Sequence, residues 1–159
     1  MRLPTFLHER RLSFMGHTVI GVDEAGCGCL AGPVIAAAIH LPLTSRIAKL
    51  NDSKLLRPQK REEIFEQFIR LKLSWTIGLA TPAEIDSLNI RRATYLAMQR
   101  AIEAYKGATF ALIDAWHIPQ LKIAQKGIIH GDRLVKSIAA ASVIAKVVRD
   151  RLMTEYDKD

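Results

Sequence analysis

Four carboxylates stand where a fold could gather them. Asp23 and Glu24 follow Thr18-Val19-Ile20-Gly21-Val22, an apolar, β-branched run that reads as a strand buried on both faces. Asp114 closes a second such run, Thr109 to Ile113, and Asp132 follows Gly131 just before a long helical pattern. Carboxylates at strand C-termini collect along one edge of an α/β sheet, where ligands commonly bind. Acids brought together repel one another unless divalent cations neutralise them, so such a set suits Mg²⁺ or Mn²⁺. Two such ions activate a water and stabilise the leaving oxygen in phosphodiester cleavage. Each acid also has a plainer reading. Asp-Glu after a strand can be a solvated turn, and Asp132 before a helix fits an N-cap.

The elements that must position these acids are legible from periodicity. Residues 1–16 read as an irregular, basic lead-in, with the domain proper placed at 18–159 after a lead-in of 1–17. Val34 to Leu41 reads as a second strand, with antiparallel pairing to the first suggested by the connection between them. Asn51-Asp52-Ser53-Lys54 is a polar loop. Pro58 opens a helix whose apolar stripe is Ile64, Phe65, Phe68 and Ile69. Leu71 to Ala80 reads as a strand. Thr81-Pro82-Ala83-Glu84 has the form of a capping box. A helix over about 90–105 buries Ala93, Leu96, Ala97, Ala101 and Ala104. Leu121 to Ile128 reads as a fifth strand. A helix from about 133 to 156 follows, with Ile138, Ala141, Ala145, Val148 and Leu152 on its buried face. The order of elements predicts α/β layering with a mixed sheet.

The 159 residues fit one domain, large enough to bury a core without disulfides. A net charge of +7 suits a polyanionic partner, nucleic acid first. The two cysteines, Cys27 and Cys29, are poorly spaced for a disulfide with each other, and the chain reads as cytoplasmic. No stretch is long and apolar enough for a membrane span or a signal peptide.

Two further segments could touch a ligand. Gly26, Gly28 and Gly32 crowd the loop after the first acids, where backbone N–H groups can meet phosphate or ribose. The loop lacks the Gly-Lys-Ser/Thr of a Walker motif, and a tight turn explains it equally well. On the last helix, Ser142, Lys146, Arg149 and Met153 share a side away from the apolar stripe. The first three can grip a nucleic-acid backbone, with Asp150 orienting the two basic groups. A solvated helix face is the simpler account. Cys27-Gly28-Cys29 supplies half of a soft-metal set, which His17 or His40 would have to complete.

Taken together, these segments resemble one family. Asp23-Glu24-Ala25-Gly26 with Leu30-Ala31-Gly32-Pro33-Val34 is similar to the first strand and loop of bacterial ribonuclease HII, the type 2 ribonuclease H. Asp52-Ser53-Lys54 resembles that family's Asp-Ser-Lys element. Glu84-Ile85-Asp86 with Leu88-Asn89-Ile90, Ala93 and Ala97-Met98 resembles its central helices. Gly131-Asp132 followed by Ser137-Ile138-Ala139-Ala140-Ala141-Ser142 through Lys146, Arg149 and Asp150 resembles its most distinctive stretch.

The resemblance implies an RNase H-like fold, a mixed five-stranded sheet flanked by helices. It implies a monomeric endonuclease that cuts RNA in RNA–DNA hybrids and incises at single ribonucleotides embedded in duplex DNA, using Mn²⁺ or Mg²⁺. The metal-binding, catalytic acids are then Asp23, Glu24, Asp114 and Asp132. Substrate is met by Gly26, Cys27, Gly28, Lys54, Ser142, Lys146 and Arg149, with Asp150 in support. The family's Gly-Arg-Gly loop, which reads the ribose 2′-hydroxyl, falls on Gly26-Cys27-Gly28. Cys27 therefore stands in place of a cation, and Cys29 in place of a Pro. Ala115 replaces a Gly after the third acid. The family's Gly-Tyr-Gly segment, with its tyrosine, is absent from this sequence, and Tyr156 lies too early to replace it. A truncated or diverged protein that binds hybrids with weak or no cleavage is the competing expectation.

Overall fold

A computed structural model of the chain describes residues 3–119 and 121–158. In chain order the elements are α1 (Leu7–Phe14), β1 (Val19–Ala25), β2 (Val34–Ile39), α2 (Pro58–Arg70), β3 (Trp75–Ala80), α3 (Pro82–Leu88), α4 (Ile90–Ala104), β4 (Phe110–Asp114), β5 (Ala124–Ile128), α5 (Gly131–Leu134) and α6 (Lys136–Tyr156). A 3₁₀ turn, Ser53–Leu55, precedes α2. The five strands form one mixed sheet in the order β3-β2-β1-β4-β5. The first three pair antiparallel, whereas β1–β4 and β4–β5 pair parallel. The expected mixed five-stranded sheet and the antiparallel β1–β2 pair are both present.

Helices cover the two faces. On one, Ile39, Leu41, Phe65, Phe68 and Ile144 pack between the sheet, α2 and α6. On the other, Val22, Ala36, Ala38, Ala97, Met98 and Ala101 pack between the sheet and α4. The capping box read at Thr81 is complete: Thr81 Oγ1 accepts from Glu84 N, and Glu84 Oε2 accepts from Thr81 N. Arg100 of α4 donates to both oxygens of Glu84, at 2.7 and 3.0 Å, so the cap also ties α3 to α4.

Differences from the sequence expectation have physical causes. The long C-terminal helix is interrupted at Val135, which is extended (φ −121°, ψ 122°), so Asp132 belongs to the short α5. Residues 137–145 of α6 are buried on every side, not along one stripe. Alanine and serine permit that depth, because small side chains let the sheet come close. At Gly21 of β1 the approach is so close that a Cβ would overlap the Ser137 carbonyl carbon.

The basic lead-in is not irregular, since residues 7–14 form α1. Thr5 bridges Val135, donating to Leu134 O and accepting from Lys136 N. Glu9 is buried, and its Oε1 accepts from Ser137 N at 2.8 Å. No side chain at Val135 caps α6, so this distant carboxylate meets a free amide in the helix's first turn and complements its dipole. Charge counting in residues 1–16 misses this, because the partner lies 128 positions away. Glu9→Ala is expected to lower stability by about 1–2 kcal/mol, the usual cost of losing a helix cap. Urea unfolding would measure it; an unchanged midpoint would show that the Glu9 contact contributes nothing to stability.

Candidate metal centre and cleft

The register of two parallel strands makes the site. Val22 of β1 lies opposite Ile113 of β4, so Asp23 and Asp114, one residue on, emerge side by side at the same end of the sheet. β5 runs parallel beyond β4 and ends at Ile128, opposite Asp114. The chain then reverses through His130, which adopts a left-handed conformation (φ 56°), and enters α5. Gly131 N donates to Asp114 Oδ1 at 2.6 Å, and this bond delivers the next residue, Asp132, to the pair.

One carboxylate oxygen from each of Asp23, Asp114 and Asp132 can be chosen so that all lie within 4.8 Å of one another. Glu24 is not part of that group. β1 continues through both acids, pairing Asp23 with Ala37 and Glu24 with Ala36. The Glu24 carboxyl lies beside that of Asp23 and stands at the margin of the cluster, on the cleft it shares with Lys54.

Electrostatics mark the cluster as incomplete without a cation. Burial, then the charges of Glu24 and Asp114, push the Asp23 carboxyl well above its ordinary value. Burial and the Asp114 charge raise Glu24. Burial raises Asp114, with the Gly131 and Asp132 amides drawing it back in part. Asp132 is pushed up to about 6 by burial, with Asp114 and Asp52 adding to the rise. Asp132 Oδ1 and Glu24 Oε2 are buried with no hydrogen-bond partner among the described residues. Hard oxygen donors, mutual repulsion and two unmet acceptors fit a divalent cation such as Mg²⁺ or Mn²⁺.

Lys54 supplies positive charge beside these acids. Partial burial lowers its pKa, but the carboxylates of Asp23, Asp52, Asp132 and Glu24 together raise it above the ordinary value. Asp52 is buried, accepts from Lys54 N at 2.8 Å and receives Arg133 Nε of α5 at 3.2 Å. It therefore links the Lys54 turn to the helix that carries Asp132.

A cleft of about 280 Å³ opens beside Glu24. The Gly26–Cys29 loop, Ser53 and Lys54 form part of its wall, and Lys146 and Arg149 the rest. The residues expected to meet substrate are thus placed around one cavity or directly beneath it. Their roles divide differently from the sequence expectation. Ser142 is buried; its hydroxyl lies 2.9 Å from Ser53 Oγ and beside the Asp23 carboxyl. Arg149 is buried as well, donating to Pro33 O at 3.0 Å and Ala31 O at 2.7 Å. Its guanidinium holds the glycine loop. At Gly26 (φ 106°) a Cβ would press on Arg149 Nε at 2.5 Å, so this glycine meets both a backbone and a packing need. Asp150 does not orient Arg149. It accepts from Lys146 Nζ at 2.6 Å and from Arg61 Nη2 at 3.2 Å.

Sequence reasoning missed three contributors: Arg61, Arg133 and the carboxylate of Asp52. Arg61 carried a signal, because it falls in step with Ile64, Phe65 and Phe68 on the buried face of α2. The soft-metal idea fails on topology. His40 Nδ1 contacts Val19 O and His17 contacts Thr109, at the start of β1, whereas the cysteines follow its end. Seven residues of strand separate them by roughly 20 Å. Among the described residues, the acid group is the one cluster that could hold a metal.

The family model for ribonuclease HII matches residues 20–159. The chain belongs to the ribonuclease HII family. A ribonuclease HII from Desulfitobacterium hafniense is 53% identical over 152 residues, covering 94% of this chain and 58% of that protein. Another from Syntrophotalea carbinolica is 49% identical over 151 residues, covering 94% and 72%. The chain thus spans little more than half the length of the first of these curated relatives. Among solved structures, ribonuclease H2 from Pyrococcus horikoshii superposes with a TM-score of 0.76 at 25% identity, covering 89% of this chain and 76% of that one. The sheet and helices described above are those of a ribonuclease HII fold.

The raised carboxyls set a sign for the effect of pH. A carboxyl whose pKa rises on folding holds its proton more tightly in the folded state. Its support for folding is complete at low pH and is lost as pH climbs through the folded value. With Asp132 at about 6, the melting temperature in chelator is expected to fall between about pH 4 and pH 7. Mn²⁺ should restore it most at the upper end, and Asp132→Asn should flatten the fall. A melting temperature that climbs steadily across this window would contradict the assignment.

Proposed function

We propose that the protein is an endonuclease that cuts the RNA strand of RNA–DNA hybrids and incises at single ribonucleotides embedded in duplex DNA, leaving 5′-phosphate and 3′-hydroxyl ends. The observation that carries this reading is the convergence of Asp23, Asp114 and Asp132 within 4.8 Å in a chain of the ribonuclease HII family. Asp23, Glu24, Asp114 and Asp132 hold Mg²⁺ or Mn²⁺. The ions, when bound, supply the activated water and stabilise the leaving 3′-oxygen.

The chain's own groups do the rest. Lys54 offsets the negative charge where acids and phosphate meet. Lys146 faces the cleft as a phosphate contact. The Gly26-Cys27-Gly28 backbone approaches the ribose closely enough to sense the 2′-hydroxyl, which separates RNA from DNA at one nucleotide. Cys27 stands where the family has an arginine, so no guanidinium fork is available there and backbone contacts carry that recognition. Ser142 and Arg149 act from beneath, fixing Ser53 and the glycine loop. The net charge of +7 draws the duplex in. The same reading makes the protein a cytoplasmic monomer.

Incubation with a duplex carrying one ribonucleotide tests this. Cleavage at the ribonucleotide is expected with Mn²⁺ or Mg²⁺ and none in chelator. Asp114→Asn should slow it at least about 100-fold, the upper end of what losing a metal ligand's own hydrogen-bond partner costs. Salt-sensitive binding of the duplex with no cut under either metal would instead make this a hybrid-binding protein.

A further inference from the structure

Arg61 sits on α2 in step with the side chains that bury the helix, and it is only 8% exposed. A cation so placed requires partners. Its Nη1 donates to Ser53 O at 3.2 Å and to Leu56 O at 2.8 Å. Its Nη2 donates to Asp150 Oδ2 at 3.2 Å, and the other oxygen of that carboxylate accepts from Lys146 Nζ at 2.6 Å. The two carbonyls bracket the turn that carries Lys54. One guanidinium therefore touches the backbone on both sides of Lys54 and the carboxylate that holds Lys146. These are two cations of the cleft, contributed by different elements.

We infer that Arg61 is a positioning residue that sets the Lys54 and Lys146 ammonium groups as a matched pair for two phosphate oxygens of a nucleic-acid backbone. The pairing of the two lysines is a property of the chain itself; what they grip rests on the nuclease reading. The geometry needs a fork. A planar guanidinium reaches three acceptors in fixed directions, whereas a lysine at the same position keeps the charge on a single nitrogen and cannot span them.

The test uses Arg61→Lys in the full chain, with two readouts. The first involves no nucleic acid. Acetylation by acetic anhydride, followed residue by residue by mass spectrometry, should become about 2- to 5-fold faster at Lys54 and Lys146 relative to Lys106, the scale expected for losing one half-exposed ion pair. The second is hybrid binding in chelator as a function of salt. The slope should fall in magnitude by about 1 to 2, and Arg61→Lys should have no further effect once Lys54→Ala and Lys146→Ala are already present.

Unchanged acetylation rates would overturn the inference, as would a slope loss that persists in the double-alanine background, because a merely structural role predicts just that. If the wild-type chain neither binds nor cuts hybrids, the nuclease reading falls, while the acetylation result still decides the role of Arg61. Should Arg61→Lys fail to fold, Asp150→Asn breaks one arm alone. Lys146 should then react faster while Lys54 keeps its rate, and equal behaviour of the two lysines would overturn the inference.

Discussion

Three carboxyl groups crowded within 4.8 Å at one end of the sheet are in conflict with one another and with the core beneath them. Burial penalises each charge, and each charge penalises its neighbours. Much of the surrounding structure answers this conflict. The Gly131 amide points at Asp114, Lys54 stands over the cluster, and the Ser142 hydroxyl rises from α6 to Asp23. Asp52 is itself a buried acid, yet it serves the same end by fixing the backbone of the Lys54 turn and drawing in Arg133. What stays unmet, Asp132 Oδ1 and Glu24 Oε2, is what a cation would meet.

Such a site requires a rigid frame, and α6 provides it. Six of the nine residues from Ser137 to Ala145 are alanine or serine and present little bulk, so β1 presses on the helix directly at Gly21. Larger side chains would hold the strand away and take Asp23 with it. The same smoothness lets Ser142 reach both the metal cluster and the Ser53 turn. From the far end of the same helix, Arg149 clamps the glycine loop.

Much of this was legible in the sequence. Apolar β-branched runs located the strands, Thr81 to Glu84 announced its cap, and the spacing of acids after strands pointed to one edge of the sheet. What periodicity does not encode is register. That Asp23 meets Asp114 follows from β1 continuing through both acids and pairing in parallel with β4. Nor does a helical wheel show that small residues bury a helix on all sides, which is why Ser142 and Arg149 read as surface contacts and proved to be internal supports. Glu9 was invisible for a third reason: a carboxylate capping a helix 128 residues away leaves no local signature. Arg61 did leave one, since an arginine in an apolar stripe demands a buried partner.

The parallel pairing of β1 with β4 joins residue 19 to residue 110 across most of the chain. Contacts of such long span are closed only after a large loss of chain entropy, and they tend to form late. The acid cluster therefore cannot exist in a half-folded chain. A chain in which only β1, β2 and β3 had paired would carry Asp23 and Glu24 but neither Asp114 nor Asp132 beside them, so the place for a cation is made only when the parallel half of the sheet docks.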